Sequence, residues 1–243
     1  MSAGSLPWLS RPGLAGGIDR DGSRAEELLG LGFGSVEFGT VVAHPQAPFG
    51  LAPLTARLAA LPSRPAGGAA IGIGIGLPPG ASETELPNLW LAGLLGAWPV
   101  ADYVSFNLSA QAYRPLLAAA HLPLLGRALH GVAAGRACLP RPVALALKLP
   151  LGDGDAPLPA VAEVAAAAGF DALTVVLPEG DKACPRLAAL AGRLRGGPAL
   201  VAVGGMRCRA DVAAARAAGA VGIQVHRAFR DHGPACLAAL LGR

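Results

Sequence analysis

The feature that most constrains this chain is a regular alternation of short apolar runs with segments of helical spacing. The apolar runs are bounded by Gly or Pro, which is typical of strands buried in a parallel sheet. Eight such strands, each followed by a helix, predict an α/β fold, a closed (β/α)8 TIM barrel, as a single domain over residues 1–243. The predicted strands are 13–18, 35–39, 70–75, 103–107, 143–148, 172–176, 199–203 and 222–225.

The predicted helices fill the intervals between these strands, and glycines mark several of their ends. Gly32, Gly169 and Gly219 each follow a helix directly and precede an apolar strand, as expected for a left-handed cap. Residues 42–64 are rich in Pro and Ala, and we expect a loop over the barrel mouth there. The predicted helices are 24–31, 53–61, 86–98, 114–134, 158–168, 183–194, 209–217 and 234–241.

Composition and charge indicate which kinds of molecule the protein binds. The 243 residues are 53% apolar and 15% charged, which supplies a large core and is unlike a disordered chain. The net charge is +4, and the basic residues are scattered without a Lys/Arg run or interleaved aromatics. We therefore expect no nucleic-acid partner, and mild basicity suits a small anionic ligand better.

The cysteines and the apolar runs indicate in which cellular compartment the protein is located. Cys138, Cys184, Cys208 and Cys236 form no C-x-x-C pair, so we expect reduced thiols and no metal site. The first residues lack the basic and apolar regions of a signal peptide, and the apolar runs fall short of the ~20 residues that span a membrane. The sequence therefore predicts a cytoplasmic protein with no membrane partner.

In a barrel of this kind, functional side chains lie at the carboxyl ends of the strands. Lys148 is the strongest candidate, because its neighbours Leu147 and Leu149 must face the other side of their strand. An ammonium inside a barrel requires an anionic partner, which is either a bound ligand, the alternative we favour, or Glu37 on the second strand. Asp19, after the first strand, is either a general base or a cap of the loop that follows.

A second group of residues predicts a site for an anion. Gly204 and Gly205 follow strand seven, where glycine allows the backbone N–H groups to approach a ligand closely. His226 and Arg227 follow strand eight, and the guanidinium adds a charged fork. Because two-loop sites of this kind bind phosphate in many barrel enzymes, we expect a phosphorylated small molecule as ligand.

Several strand ends also resemble those of a known family. In order and spacing they are similar to the dihydroorotate dehydrogenases, flavin-mononucleotide (FMN) enzymes built on a (β/α)8 barrel. The resemblance covers almost the whole chain and rests on segments 13–22 (GLAGGIDRDG), 35–41 (SVEFGTV), 103–109 (YVSFNLS), 145–150 (LALKLP) and 200–206 (LVAVGGM).

The resemblance implies FMN as cofactor and assigns residues to it. Gly39 and Thr40 match the family's flavin-contacting Gly-Thr, and Lys148 matches its flavin-contacting Lys. Asn107 begins the family's N-[IL]-S-S-P-N motif correctly, and Arg20 replaces the Lys that contacts the substrate. The phosphate end of FMN falls on the residues of the predicted anion site: Gly204, Gly205, His226 and Arg227.

The same resemblance shows which reactive groups are missing. Ala110 stands where the class 2 enzymes have their catalytic Ser, and Ala112 where they have a substrate Asn. Val176-Leu177 replaces a Thr-Asn pair, and Gly74 replaces an Asn. Because proton removal needs a base within hydrogen-bond reach, we expect no efficient oxidation of dihydroorotate. A new acid or base would have to be Asp19, Ser109 or His226.

These observations favour a diverged oxidoreductase that binds FMN or another phosphorylated ligand. The predicted catalytic residues are Lys148, Asp19 and Ser109. Two alternatives stay open. One is a flavin-free lyase or cofactor-biosynthesis enzyme in which Lys148 acts as a Schiff-base nucleophile or as a charge. The other is a non-catalytic paralogue that serves as a structural or partner subunit. The substrate, the electron acceptor and the state of assembly, as a homo- or hetero-oligomer, do not follow from the sequence.

Overall fold

The structure, a computed structural model, describes residues 6–44, 49–154 and 156–242. Eight parallel strands form a closed barrel in chain order, and β8 returns to pair with β1. The predicted (β/α)8 TIM barrel is therefore confirmed. The strands are β1 (Gly13–Leu14), β2 (Ser35–Val41), β3 (Ala70–Ile75), β4 (Tyr103–Asn107), β5 (Ala144–Pro150), β6 (Ala172–Val176), β7 (Ala199–Val203) and β8 (Gly222–Val225).

Five strands have the predicted bounds, and the other three differ for local reasons. β1 is shorter than predicted because the chain turns at Gly17, whose N–H donates to the Gly39 carbonyl. β2 and β5 run two residues further than predicted, to Val41 and Pro150. Both extensions carry residues at the barrel mouth, so the strands reach into the region where a ligand would bind.

The described residues form nine α-helices, one more than predicted. The addition is a short helix after β8, which has no apolar period by which a sequence pattern could find it. The predicted helix 114–134 is wrong at its start: 3₁₀ turns at Gln111–Leu117 and Ala119–His121 precede the helix, because Pro115 interrupts the first and Pro123 suits a helix start. The helices are α1 (Ala25–Gly30), α2 (Leu51–Ala59), α3 (Leu86–Ala97), α4 (Leu122–Ala137), α5 (Val161–Ala167), α6 (Ala183–Arg193), α7 (Arg209–Ala217), α8 (Arg227–His232) and α9 (Ala235–Leu241).

Glycines after three of these helices adopt the left-handed conformation, as predicted. Gly32, Gly169 and Gly219 have φ angles of 91°, 80° and 101°. The helix α2 lies within the segment predicted as a mouth loop, and residues 45–48 of that segment lie outside the described residues.

The strands divide their side chains between two layers. Apolar side chains such as Leu147 and Leu149 face outwards and pack in one continuous core against the helices. The inward positions carry most of the buried polar side chains: Ser35, Glu37, Ser105, Lys148, Thr174 and Gln224. The predicted inward direction of Lys148 is confirmed, and the barrel interior is a polar layer at the depth of that residue.

The amino-terminal end of the barrel is covered by a 3₁₀ turn, Pro7–Ser10. Leu9 of this turn packs with Tyr103 in a small cluster inside the barrel. The Trp8 ring stacks on that of Tyr103, with ring centroids 5.9 Å apart and an interplanar angle of 14°. This end is therefore filled by side chains, and the opposite end is left for a ligand.

No single helix in the described part of the chain is long and apolar enough to cross a membrane. A bent pair, Gln111–Leu117 with Ala119–Ala137, meets the length and composition requirement with a bend of 77°. Leu125, Leu129 and Val132 of this pair are fully buried in the core. The four cysteines are free, and no three His, Cys, Asp or Glu side chains converge as a metal site within residues 6–44, 49–154 and 156–242.

Candidate functional site

A cavity of about 420 Å³ opens at the carboxyl ends of the strands. Its volume falls in the range of ~300–1,000 Å³ that is usual for small-molecule sites. Six of the predicted site residues line it together: Arg20, Thr40, Asn107, Ser109, Lys148 and His226. They come from the ends of β1, β2, β4, β5 and β8, so the closed barrel is what assembles them.

Lys148 lies at the inner side of this cavity and is 8% exposed. Its Nζ is 3.3 Å from Oε1 of Glu37, which is 2% exposed. The other carboxylate oxygen of Glu37 accepts a hydrogen bond of 3.3 Å from Nε2 of Gln224. Gln224 Nε2 also lies 3.1 Å from the hydroxyl of Tyr103. Lys148 therefore reaches both the cavity and a polar network in the barrel core.

Asn107 connects the ends of β2 and β4. Its Nδ2 donates to Thr40 Oγ1 at 2.9 Å, and its Oδ1 accepts from both the N–H and the hydroxyl of Ser109, at 2.8 and 2.7 Å. The Asn107 amide thus makes hydrogen bonds within the protein. An Asn that only orders the loop after β4 would make the same bonds. Since Thr40 Oγ1 accepts from Asn107, its own proton is available to a ligand in the cavity.

At the barrel mouth, β2 and β3 approach each other closely at Gly39 and Gly74. Gly39 pairs with Gly74 in register and has φ +101°. A Cβ at Gly39 would lie 2.7 Å from the Gly74 carbonyl oxygen, so a side chain does not fit there. The inward positions of β3 and its end, Gly72, Gly74 and Gly76, are also glycines. Beyond Ala70, this strand contributes backbone but no side chain to the interior, which leaves room for Glu37, Thr40 and a ligand.

Asp19 is buried at 4% exposure, and its carboxylate is turned to the loop between β1 and α1. Oδ1 accepts from the N–H groups of Asp21 and Gly22 at 3.3 and 2.8 Å, and Oδ2 accepts from that of Arg24 at 2.9 Å. Asp19 does not line the cavity. The geometry therefore supports the loop-capping alternative and gives the predicted catalytic role no support.

Two basic side chains stand at the rim of the cavity. The Arg20 guanidinium lies 5.2 Å from the centre of the Phe49 ring, within the ~6 Å of a cation–π contact. His226 is half-buried, and burial, followed by the positive charges of Lys148, Arg230, Arg227 and Arg20, lowers its pKa below the ordinary value of 6.5. The imidazole is therefore neutral at pH 7, and Arg20 is the charged one of these two rim side chains.

The predicted anion site is only partly assembled. Gly204 and Gly205 have φ angles of 99° and 73° and form the turn after β7, but neither they nor Arg227 line the cavity. The Arg227 side chain is 72% exposed and binds Glu179 with an N–O distance of 2.8 Å. The guanidinium is thus paired with an acid of the β6–α6 loop, and the sequence pattern did not predict this pair. A role for Arg227 in the cavity has no support from this geometry.

Five lining residues were not predicted as site residues: Gly16, Gly17, Val42, Ala110 and Tyr113. Tyr113 lies in the 3₁₀ turn after β4, and its hydroxyl donates to the Leu77 carbonyl at 2.9 Å and accepts from the Leu77 N–H at 3.0 Å. Val42 follows β2 at the rim. Tyr113 lies in a segment predicted as loop and helix start, and no local pattern marks it. Ala110, where the resemblance places the missing Ser, does line the cavity.

The chain has relatives that match along most of its length, although no protein-family model matches it. It is 31% identical to dihydroorotate dehydrogenase (quinone) of Azorhizobium caulinodans, over 92% of this chain and 76% of the relative. The enzyme of the same name from Rhodospirillum rubrum is 29% identical, over 95% of this chain and 73% of the relative. These alignments run over 277 and 281 positions, so the relatives carry additional residues between the matched segments.

Solved structures agree in fold. The ligand-free type of dihydroorotate dehydrogenase from Eimeria tenella superimposes with a TM-score of 0.77 at 18% identity, over 94% of this chain and 82% of that chain. The same enzyme in complex with ferulenol gives a TM-score of 0.74 at 19% identity. Fold and site define a (β/α)8-barrel protein with a basic ligand cavity at the carboxyl ends of its strands. The chain belongs to the dihydroorotate dehydrogenase family.

Proposed function

We propose that this protein is an FMN-dependent oxidoreductase whose substrate is not dihydroorotate. The observation that carries the proposal is the position of Lys148 at the inner side of the 420 Å³ cavity, next to the linked pair Thr40 and Asn107. The resemblance assigns Lys148 and Thr40 to flavin-contacting positions of the family. The membership of the family and the size of the cavity support the same assignment.

The residues present fit FMN at its ring end. Thr40 offers a hydroxyl proton and Lys148 an ammonium, and Gly16 and Gly17 line the cavity with backbone instead of side chains. A Cβ at Gly17 would lie 3.1 Å from His226 Nε2, so the glycine keeps this part of the cavity open. When bound, FMN supplies hydride acceptance. Lys148 would stabilise the negative charge that accompanies it, at a place where water is partly excluded.

The phosphate of such a ligand would bind at the turn after β7. A Cβ at Gly205 would have no neighbouring atom within 4 Å, so the backbone there is open to an approaching anion. A Cβ at Gly204 would lie 3.3 Å from the Leu177 carbonyl oxygen, a tight contact that glycine avoids. His226, which follows β8, lines the cavity. We therefore keep a phosphorylated small molecule as the proposed ligand class and leave Arg227 out of the site.

The groups that would handle dihydroorotate are apolar here. Ala110 lines the cavity and carries no base, and Leu177 packs in the core beneath the rim. A pyrimidine carboxylate has many hydrogen-bonding groups, and each one left unpaired on binding costs about 1–3 kcal/mol. Several such losses lower the affinity by orders of magnitude. This supports a substrate with fewer polar groups.

The test combines a visible absorption spectrum with an activity assay. We expect the purified protein to carry FMN, or to take it up from solution, and to show no useful turnover of dihydroorotate with a quinone acceptor. The Azorhizobium caulinodans relative, under the same conditions, is the positive control. Turnover of ~1–10 per second, ordinary for an enzyme, would refute the claim about the substrate. A protein that binds no flavin at saturating FMN would refute the cofactor.

A further inference from the structure

Glu37 is an acid that no step of the proposed reaction uses, yet it lies at the centre of the barrel. It is 2% exposed, and each of its carboxylate oxygens has a partner: Lys148 on one side and Gln224 on the other, both at 3.3 Å. A buried carboxylate is costly unless it is paired and hydrogen-bonded. A buried carboxylate so close to the cavity therefore has a function to be identified.

The surrounding backbone fixes where this carboxylate can be. A Cβ at Gly16 would lie 2.7 Å from Glu37 Oε1, and a Cβ at Gly74 would lie 3.4 Å from the same oxygen. On the β1 side only glycine leaves the carboxylate space, whereas on the β3 side a Cβ would make an ordinary contact with it.

Gln224, the second partner of Glu37, also forms a hydrogen bond toward the amino-terminal end of the barrel. Its Nε2 is 3.1 Å from the hydroxyl of Tyr103, and the Tyr103 ring stacks on Trp8 at the closed end of the barrel. Burial, followed by the charge of Glu37, raises the pKa of Tyr103 well above its ordinary value, so the phenol stays protonated. A chain of contacts therefore runs from the covered end to Lys148.

The partner of Glu37 is unusual in this sequence. Lys148 and Lys182 are the only lysines among 20 basic residues, the other 18 being arginines. An ammonium is a compact point charge, whereas a guanidinium is a planar fork that needs more room and several acceptors. Beside one carboxylate oxygen, in the space that the glycines leave, the compact cation fits.

We infer that Glu37 is the positioning residue of this site: its carboxylate, held by Gln224, anchors the Lys148 ammonium at the inner wall of the cavity and balances its charge. The anchoring follows from the geometry of the chain alone. Its consequence for a bound flavin rests on the proposed function. Glu37 itself does not line the cavity, so it acts through Lys148.

The presence of only two lysines allows a direct test on the ligand-free protein. The chain is treated with a limiting amount of acetic anhydride, and the acetylation of Lys148 is measured relative to that of exposed Lys182 by peptide mass spectrometry. Glu37→Gln should increase this ratio several-fold, because the ammonium loses its anchor and the side chain is free to leave the wall. Glu163→Gln, which removes an exposed partner of Arg193, is the matched control and should leave the ratio unchanged.

A second variant keeps the test valid if Glu37→Gln does not fold. Gln224→Leu removes the partner that holds Glu37 and should raise the ratio in the same direction, by a smaller factor. A folded Glu37→Gln or Gln224→Leu variant with the wild-type ratio would overturn the inference.

The consequence for the flavin has its own readout. With FMN bound, Glu37→Gln should shift the reduction potential to more positive values, because the charge of Lys148 is no longer balanced and favours the electron-rich form. A purely structural role of Glu37 would leave the potential unchanged, and that result would overturn the positioning role. If the protein binds no FMN, the proposed function fails, but the labelling ratio still decides whether Glu37 anchors Lys148.

Discussion

At the scale of single residues, Lys148 stands on the boundary between the barrel core and the cavity. The sequence left two partners open, a ligand or Glu37, and the ion pair with Glu37 is present. Breaking a buried ion pair by removing one member is costly because the remaining charge is left in the core. The two partners are therefore compatible. Glu37 balances the charge of the ammonium on the core side, and the cavity side of the ammonium can contact a ligand.

This arrangement makes a prediction about stability. Lys148→Met should lower the free energy of unfolding by about 3–5 kcal/mol, because Glu37 is left buried without a counter-charge. The double variant Lys148→Met/Glu37→Gln should recover most of that loss. Denaturant unfolding of both variants and the wild type measures the difference. A single variant as stable as the wild type would indicate that the ligand is the important partner of the ammonium.

Sequence reasoning identified most of the cavity residues, since strand ends in a parallel barrel converge wherever the strands are correctly placed. Thr40, Asn107, Lys148 and His226 were found in this way. What could not be predicted depends on contacts between distant loops. The pairing of Arg227 with Glu179 joins the start of α8 to the loop after β6, and no local pattern in either segment shows it.

At the scale of elements, the loop between β1 and α1 is organised by one side chain. Asp19 accepts hydrogen bonds from three backbone N–H groups, which would otherwise be unpaired in a part-buried turn. The loop presents Gly17 and Arg20 to the cavity, so its shape determines one wall of the site.

Asp19→Ala should therefore weaken the fold. Hydrogen bonds to a charged group contribute about 1.5–3 kcal/mol, and we expect a loss of that size in the free energy of unfolding. Asp21→Ala, in the same loop, is the matched control: the Asp21 side chain is 44% exposed, pairs with Arg57 and should cost less. Thermal unfolding separates the two. A fully stable Asp19→Ala variant without turnover would instead restore the predicted catalytic role.

The elements show where sequence patterns are sufficient and where they fail. Strands such as Ala70–Ile75 and Tyr103–Asn107 have the predicted bounds because buried parallel strands are continuous apolar runs that end at polar residues or glycine. The short helix Arg227–His232 was missed because it has six residues and one buried side chain, Phe229. Its existence depends on packing after β8 and not on a periodic apolar face.

At the scale of the whole molecule, the charge around the barrel mouth should make stability depend on pH. His226 has a lowered pKa, through burial first and then through Lys148, Arg230, Arg227 and Arg20. Below pH 6.5 the unfolded chain takes up a proton at His226 more readily than the folded chain does. The contribution of His226 to stability is therefore present above that pH and is lost as the pH falls through the lowered folded value.

We expect the wild type to lose more stability between pH 7 and pH 5 than His226→Gln does, while both have the same pH dependence between pH 7 and pH 8. Unfolding in denaturant at each pH measures the difference between the two proteins, so that contributions from other titrating groups cancel. Parallel curves over the whole range would show that His226 titrates alike in the folded and unfolded chains.

The glycines of the third strand have a consequence for engineering. Gly72 cannot accept a side chain, because a Cβ would lie 2.1 Å from the Tyr103 ring, and at Gly76 it would lie 2.6 Å from the Thr40 methyl carbon. At Gly74 the nearest atom is 3.4 Å away, an ordinary contact. The wall between core and cavity can thus be thickened by one methyl group at one position. A library of variants meant to reshape the ligand space would do best to begin with alanine at Gly74 and to leave its two neighbours unchanged.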